Sequence, residues 1–260
     1  MTNVTVRAYG PLNDFLPPER RQVPWPHGVV GHPSVKDLIE SLGIPHPEID
    51  LILVDGTSVS FHYLVQNGDR ISAFPRFTTL DVGMLTRVRP PPLSSVRFVA
   101  DVHLGRLARH LRLAGLDTAY PEGADDRALA DLAHREGGIL LTRDRGLLKR
   151  RNVAHGYFVR ETHPHRQFVE VLSRFGSLDL QPFARCLRCN EVLRAVPKSA
   201  VDAALQPRTR HHYDQFQTCD GCGRVYWRGS HWKRLKHALD TAREEAVRRT
   251  IRPIVDRDDH

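Results

Sequence analysis

The chain has 260 residues, more than one small domain needs and enough for two or three. Hydrophobic residues make up 40% and charged residues 26%, which excludes a disordered chain, and no apolar run approaches the roughly 20 residues of a membrane-spanning helix. The 38 lysines and arginines outnumber 30 acids for a net charge of +8, so nucleic acid is a reasonable partner.

The opening Met1-Thr2-Asn3-Val4-Thr5-Val6 lacks the basic and apolar regions of a signal peptide, which makes the cytoplasm the expected compartment. Val4–Tyr9 alternates as a half-buried strand does. Residues 34–43 carry apolar side chains at helical spacing, with Ser34 as the expected N-cap and Gly43 as the stop. Short strands are predicted at Leu51–Val54 and Ile71–Phe74, beside Asp-Gly and Asn-Gly turns. This order resembles a ubiquitin-like β-grasp domain of the sulfur-carrier type, over about residues 1–85. Such carriers end in a free Gly-Gly, whereas this chain continues through Phe74-Pro75-Arg76-Phe77; a docking or folding role is the better reading. Arg89-Pro90-Pro91-Pro92-Leu93 then reads as a stiff linker.

Over about 95–180, strand signals at 96–100, 117–120, 139–142 and 156–160 alternate with helical stretches at 102–115, 126–136, 144–151 and 164–175. That alternation predicts a parallel α/β sheet. The final segment, 183–260, holds the cysteine pairs and a basic tail expected to be a solvated helix.

The reactive edge of a parallel α/β sheet lies at the carboxyl ends of its strands. Asp101 directly follows Val99-Ala100, Asp144 follows Thr142 by one residue, and Asp126 opens the third helix. Carboxylates gathered on one edge repel unless a cation neutralises them, and hard oxygen ligands suit Mg²⁺ or Mn²⁺. The plainer role for Asp126 and Asp144 is helix capping. Asp125 fits the helical spacing less well, and Asp117 and Asp131 read as surface or turn residues. In the helix after Asp101, Leu104, Leu107, Ala108 and Leu111 share one face; Arg106 and Arg109 stand outside it as candidate phosphate contacts. Arg143 and Arg145 flank Asp144 as further candidates, although alternating side-chain directions disfavour both acting together.

Cys186-Leu187-Arg188-Cys189 and Cys219-Asp220-Gly221-Cys222 are paired Cys-x-x-Cys knuckles. In a reducing compartment they favour a closed, structural four-thiolate Zn²⁺ site over disulfides. His231 is an unneeded substitute ligand. Downstream, Tyr226, Trp227 and Trp232 interleave with Arg224, Arg228, Lys233 and Arg234. Such a pattern serves base stacking, while one of Tyr226 and Trp227 is expected in the small domain's core.

Asp101-Val102-His103-Leu104-Gly105-Arg106-Leu107-Ala108-Arg109-His110-Leu111-Arg112, together with Leu140-Leu141-Thr142-Arg143-Asp144-Arg145, closely resembles the Mut-seven C-terminal RNase family. That family is a branch of PIN-like nucleases with an attached zinc ribbon, sometimes preceded by a ubiquitin-like domain. The resemblance implies a metal-dependent endoribonuclease acting on RNA (tRNA or ribosome-associated RNA among the candidates), with Asp101, Asp126 and Asp144 as the metal-binding acids. The alternative is a non-catalytic RNA- or ribosome-binding factor. Gly146 stands where many PIN domains carry another acid, which puts a second metal in doubt; Glu161 is a speculative substitute.

Overall fold

A computed structural model describes residues 2–77, 81–93, 95–176 and 178–251, apart from the side chains of 230, 231, 233, 234, 250 and 251. The alternation at the start becomes strand β1, Thr2–Ala8, with Val4, Val6 and Ala8 buried. It pairs antiparallel with β2, Trp25–Val29, which carries no readable alternation. Helix α1, Val35–Ser41, starts where Ser34 Oγ accepts the Asp37 N–H at 3.1 Å. It is closed off by Gly43 at φ +100°. Strand β3, Ile49–Val54, turns through Asp55 and Gly56, both left-handed, into β4, Thr57–Ser58. Strand β5, Arg70–Pro75, completes a sheet in the order β2-β1-β5-β3-β4, parallel only between β1 and β5. Val35, Leu38 and Ile39 of α1 share its core with Val6, Ile52 and Ile71. The predicted linker is fastened at its start: Arg89 makes two hydrogen bonds to the Asp50 carboxylate, at 2.8 and 2.6 Å.

The central segment alternates as predicted. Its elements are β6 (Phe98–Ala100), α2 (Gly105–Leu113), β7 (Thr118–Ala119), α3 (Asp126–Arg135), β8 (Ile139–Thr142), α4 (Arg145–Leu148), β9 (Gly156–Phe158) and α5 (Pro164–Phe175). Strand β6 pairs parallel with β7, and β8 with β9. The last strand is shorter than the 156–160 expected. The N–H groups of Arg160 and Glu161 each donate to the Glu170 carboxylate at 2.9 Å, so strand pairing ends before them. The predicted helix over 102–115 opens with a 3₁₀ turn at Val102–Leu104.

The C-terminal segment holds β10 (Arg194–Val196), α6 (Pro207–His212), β11 (Phe216–Thr218), β12 (Val225–Trp227) and α7 (Ser230–Ile251). Strands β10, β11 and β12 form an antiparallel sheet. The basic tail is helical as expected but not merely solvated: Leu239, Ala242 and Ala246 are buried, and α7 packs on α5.

The chain divides into two compact units. The first comprises 1–94 and 124–158, hence the β-grasp sheet with α3, β8, α4 and β9, besides the undescribed 254–260. Its parts are tied by specific bonds. His46 Nδ1 lies 2.6 Å from Glu40 and Nε2 2.8 Å from the Val153 carbonyl. Lys149 donates to the Glu40 carbonyl at 2.7 Å, and the Phe158 N–H donates to Glu48 at 2.6 Å. The second unit comprises 95–123 and 159–253, carrying β6, α2, β7, α5, the cysteine sheet and α7.

Candidate metal centre and acidic strand ends

The two knuckles fold alike. Asn190 and Gly223 each follow the second cysteine of a pair, at φ +73° and +68°. Each donates its N–H to the carbonyl of the pair's first cysteine, at 3.0 and 2.8 Å. Only glycine and short polar residues enter that conformation cheaply, so the sequence Cys-Asn and Cys-Gly sets both turns. The four Sγ atoms gather within 4.8 Å of one another. Cys189 and Cys219 are 3.2 Å apart, Cys186 and Cys222 3.6 Å, too long for disulfides and close to the roughly 3.8 Å between thiolates on a tetrahedral zinc ion.

The sulfurs differ electrostatically. Burial opposes the Cys186 thiolate, but the Tyr226 hydroxyl, 3.1 Å away, and the backbone of Cys189 and Arg188 bring its pKa down to about 6. Burial and the neighbouring thiols push Cys219 up to about 12, and burial raises Cys189. Burial and the Cys186 sulfur raise Tyr226, which keeps its hydroxyl a donor. Tyr226 is thus the expected core aromatic, whereas Trp227 is exposed.

A clasp that the sequence does not announce fixes this centre to α2 and β7. Buried Arg112 donates to the carbonyls of Thr118, Leu187 and Arg188, at 2.9, 3.3 and 2.6 Å. Burial lowers the pKa of its guanidinium, and the Cys186 and Cys189 sulfurs act the other way. The Asn190 side chain donates to Asp117 at 2.6 Å and accepts the Thr118 N–H at 3.0 Å. Asp117, expected at the surface, is instead a half-buried hub that also pairs with Arg97 and Arg185 at 2.9 and 3.3 Å. Asp131 is exposed as expected and accepts from Asn152.

The three acids occupy the predicted kinds of place. Asp101, in the second unit, follows β6 and is 4% exposed, with no side-chain capping bond to the helix it opens. Asp126 and Asp144 belong to the first unit. The cap of α3 is Asp125, whose carboxylate accepts the Ala128 N–H at 2.8 Å, and Asp126 follows it exposed to solvent. Asp144 does cap α4: its Oδ1 accepts from Gly146 and Leu147 at 2.6 and 3.3 Å. A Cβ at Gly146 would stand 3.1 Å from that same oxygen. Glu161 is engaged by Arg249 at 3.3 Å.

Arg106, Arg109 and Arg143 are exposed. Arg145 reaches the carbonyls of Phe15 and Asp14 at 3.3 Å and lies over the Phe15 and Phe158 rings. The side chain of His231 lies outside the described residues.

The Mut7-C RNAse domain matches residues 96–239 and the Mut7-C ubiquitin domain matches residues 1–81. No curated protein and no solved structure matches the chain. Among the described residues no helix is long and apolar enough to cross a membrane.

Proposed function

The chain belongs to the Mut7-C RNAse domain family, and from that premise we propose that it is a cytoplasmic endoribonuclease whose Asp101, Asp126 and Asp144 hold Mg²⁺ or Mn²⁺. The observation that supports the reading is that Asp101 directly follows β6 and Asp144 lies just after β8, while Asp126 opens α3. Asp101 is a buried carboxylate. Asp144 spends Oδ1 on its helix and keeps Oδ2 for a ligand. Asp126 is released from capping by Asp125. An ion held by these carboxylates would supply an activated water and charge stabilisation for phosphodiester hydrolysis, which would leave a 5′-phosphate and a 3′-hydroxyl. Gly146 adds no carboxylate, so one ion is the reading. Arg106, Arg109 and Arg143 contact the phosphates, while Arg145 serves to position α4. The four cysteines hold a structural Zn²⁺, as their number leaves no open coordination place. Structured RNA such as tRNA or ribosome-associated RNA is the substrate class tried first.

The test is cleavage of structured and single-stranded RNAs with Mn²⁺ or with chelator, beside Asp101→Asn and Asp144→Asn. The expected loss is about a hundredfold or more in each variant. Cleavage that persists in the variants, or without a divalent ion, overturns the mechanism. Binding without cleavage of any RNA turns the reading into that of a binding factor.

A further inference from the structure

The second unit holds a groove of about 950 Å³ beside the cysteine sheet, whose lining includes Phe183, Tyr213, Trp227, Trp232 and Arg228. Its rings are held in place by features that a mere surface would not need. Phe183 sits at φ +64°, a conformation bulky side chains rarely adopt. Its N–H is fixed to the Leu113 carbonyl at 2.9 Å. The Phe183 ring stands 5.3 Å from that of Trp232, tilted by 33°, and Arg228 lies over Trp232 at 5.4 Å. Trp227 is 40% exposed, and a Cβ on Gly229 would meet its Nε1 at 2.9 Å. Glycine at 229 therefore preserves the seat of the indole.

Charge selects the occupant. Asp117, Asp220, Asp214 and Asp202 are already matched by Arg185, Arg194, Lys198 and Arg210. Of the charged residues that line the groove, Arg185 pairs with Asp117, Asp214 with Lys198 and Lys236 with Asp240, whereas Arg228 is exposed and has no ion pair among the described residues. Aromatic faces beside an unmatched guanidinium group suit unpaired bases on a phosphate backbone, since every base presents a π face. An apolar peptide would use the rings and leave Arg228 idle. A duplex would meet Arg228 and hide the base faces that the rings require.

We infer that this groove binds the unpaired bases of a single-stranded RNA segment, with Trp227 and Arg228 as its principal contacts. The inference rests on the ribonuclease reading for the choice of RNA and adds that the substrate has a single-stranded stretch. The test uses the full-length, zinc-loaded protein without added Mg²⁺ or Mn²⁺. Anisotropy of a labelled oligouridine is measured beside that of a labelled RNA duplex. Trp227→Ala is expected to weaken oligouridine binding about tenfold and Arg228→Ala several-fold, while Trp227→Phe retains most of it and duplex binding stays unchanged. Unaltered zinc content and circular dichroism establish that the variants fold; Arg228→Ala, at an exposed site, carries the test if Trp227→Ala does not. Wild-type affinity in the folded alanine variants, or equal loss towards duplex, overturns the groove. The two readings fail separately: cleavage that survives with unchanged oligouridine binding sinks the groove alone. Groove-dependent binding by a protein that cleaves nothing sinks the nuclease alone.

Discussion

His46 Nε2 lies 2.8 Å from the carbonyl oxygen of Val153, 107 residues further along the chain. The other ring nitrogen faces Glu40 at 2.6 Å, and the imidazole is buried between them. With Glu48 holding the Phe158 N–H, this contact makes the β-grasp sheet part of the support for β8, α4 and β9. His46→Ala should therefore destabilise the first unit by about 1–3 kcal/mol, because it orphans a buried carbonyl. Chemical denaturation is the measurement: a lower midpoint with an unchanged slope is expected, and an unshifted midpoint would show that the clasp contributes nothing.

Gly115 presents the sharpest steric constraint. Its φ is +87°, and a Cβ there would lie 2.1 Å from the Gln181 carbonyl oxygen. Backbone is what it would strike, so no side-chain rotation relieves the collision. Gly115→Ala should cost about 3 kcal/mol or more, read as a large fall in thermal midpoint. A shift of only a degree or two would mean that the 181 segment moves freely.

How far the sequence reached follows from the range of each signal. Ser34 and Gly43 announce α1 because capping is decided within a turn. The spacing of Cys186, Cys189, Cys219 and Cys222 announces the metal centre because each knuckle is a local turn. Strand β2 escapes because Trp25-Pro26-His27-Gly28 breaks any alternation; it is an edge strand, where proline is tolerated. The hub at Asp117 and the Arg112 clasp escape for another reason. Their partners lie about 70 residues away, at Asn190 and the Leu187 and Arg188 carbonyls, and nothing near either residue reveals them. Asp125 and Asp126 are adjacent acids whose roles only the backbone separates: one caps, the other does not.

Removing the metal should loosen the second unit selectively. The cysteine core is small, with Cys186, Leu193 and Cys219 the buried members among the described residues, so thiolates left without a cation have little packing to hold them together. Loading must displace protons from Cys189 and from Cys219, whose pKa is pushed up to about 12. Cys186, brought down to about 6, is the first thiolate available. Metal affinity should consequently fall as pH falls. Chelator extraction followed with a chromogenic zinc indicator should run faster at pH 6 than at pH 8; a pH-independent rate would rule out thiolate ligation. Cys219→Ser should abolish retention at either pH.

Acid should also act through His110. Its ring packs against Phe168 at 5.7 Å, and its Nδ1 has no hydrogen-bond partner among the described residues. Burial lowers its pKa below the ordinary 6.5, helped by His165, Arg109 and His163, while the Pro164 carbonyl opposes the shift. The unfolded chain therefore takes up a proton near pH 6.5 that the folded chain refuses. Stability is full above that pH and is lost progressively as pH falls towards the lower, folded value, at no more than about 1.4 kcal/mol per pH unit for one proton. His155 and His27 shift in the same direction, chiefly through burial, so His110→Gln should flatten the acid slope without erasing it. Denaturation midpoints of wild type and variant, compared between pH 7.5 and 5.5 on zinc-saturated protein, isolate the residue. Parallel slopes would mean that His110 protonates as readily in the fold as in the open chain, and that burial around the α2–α5 contact is weaker than the packing of Phe168 indicates.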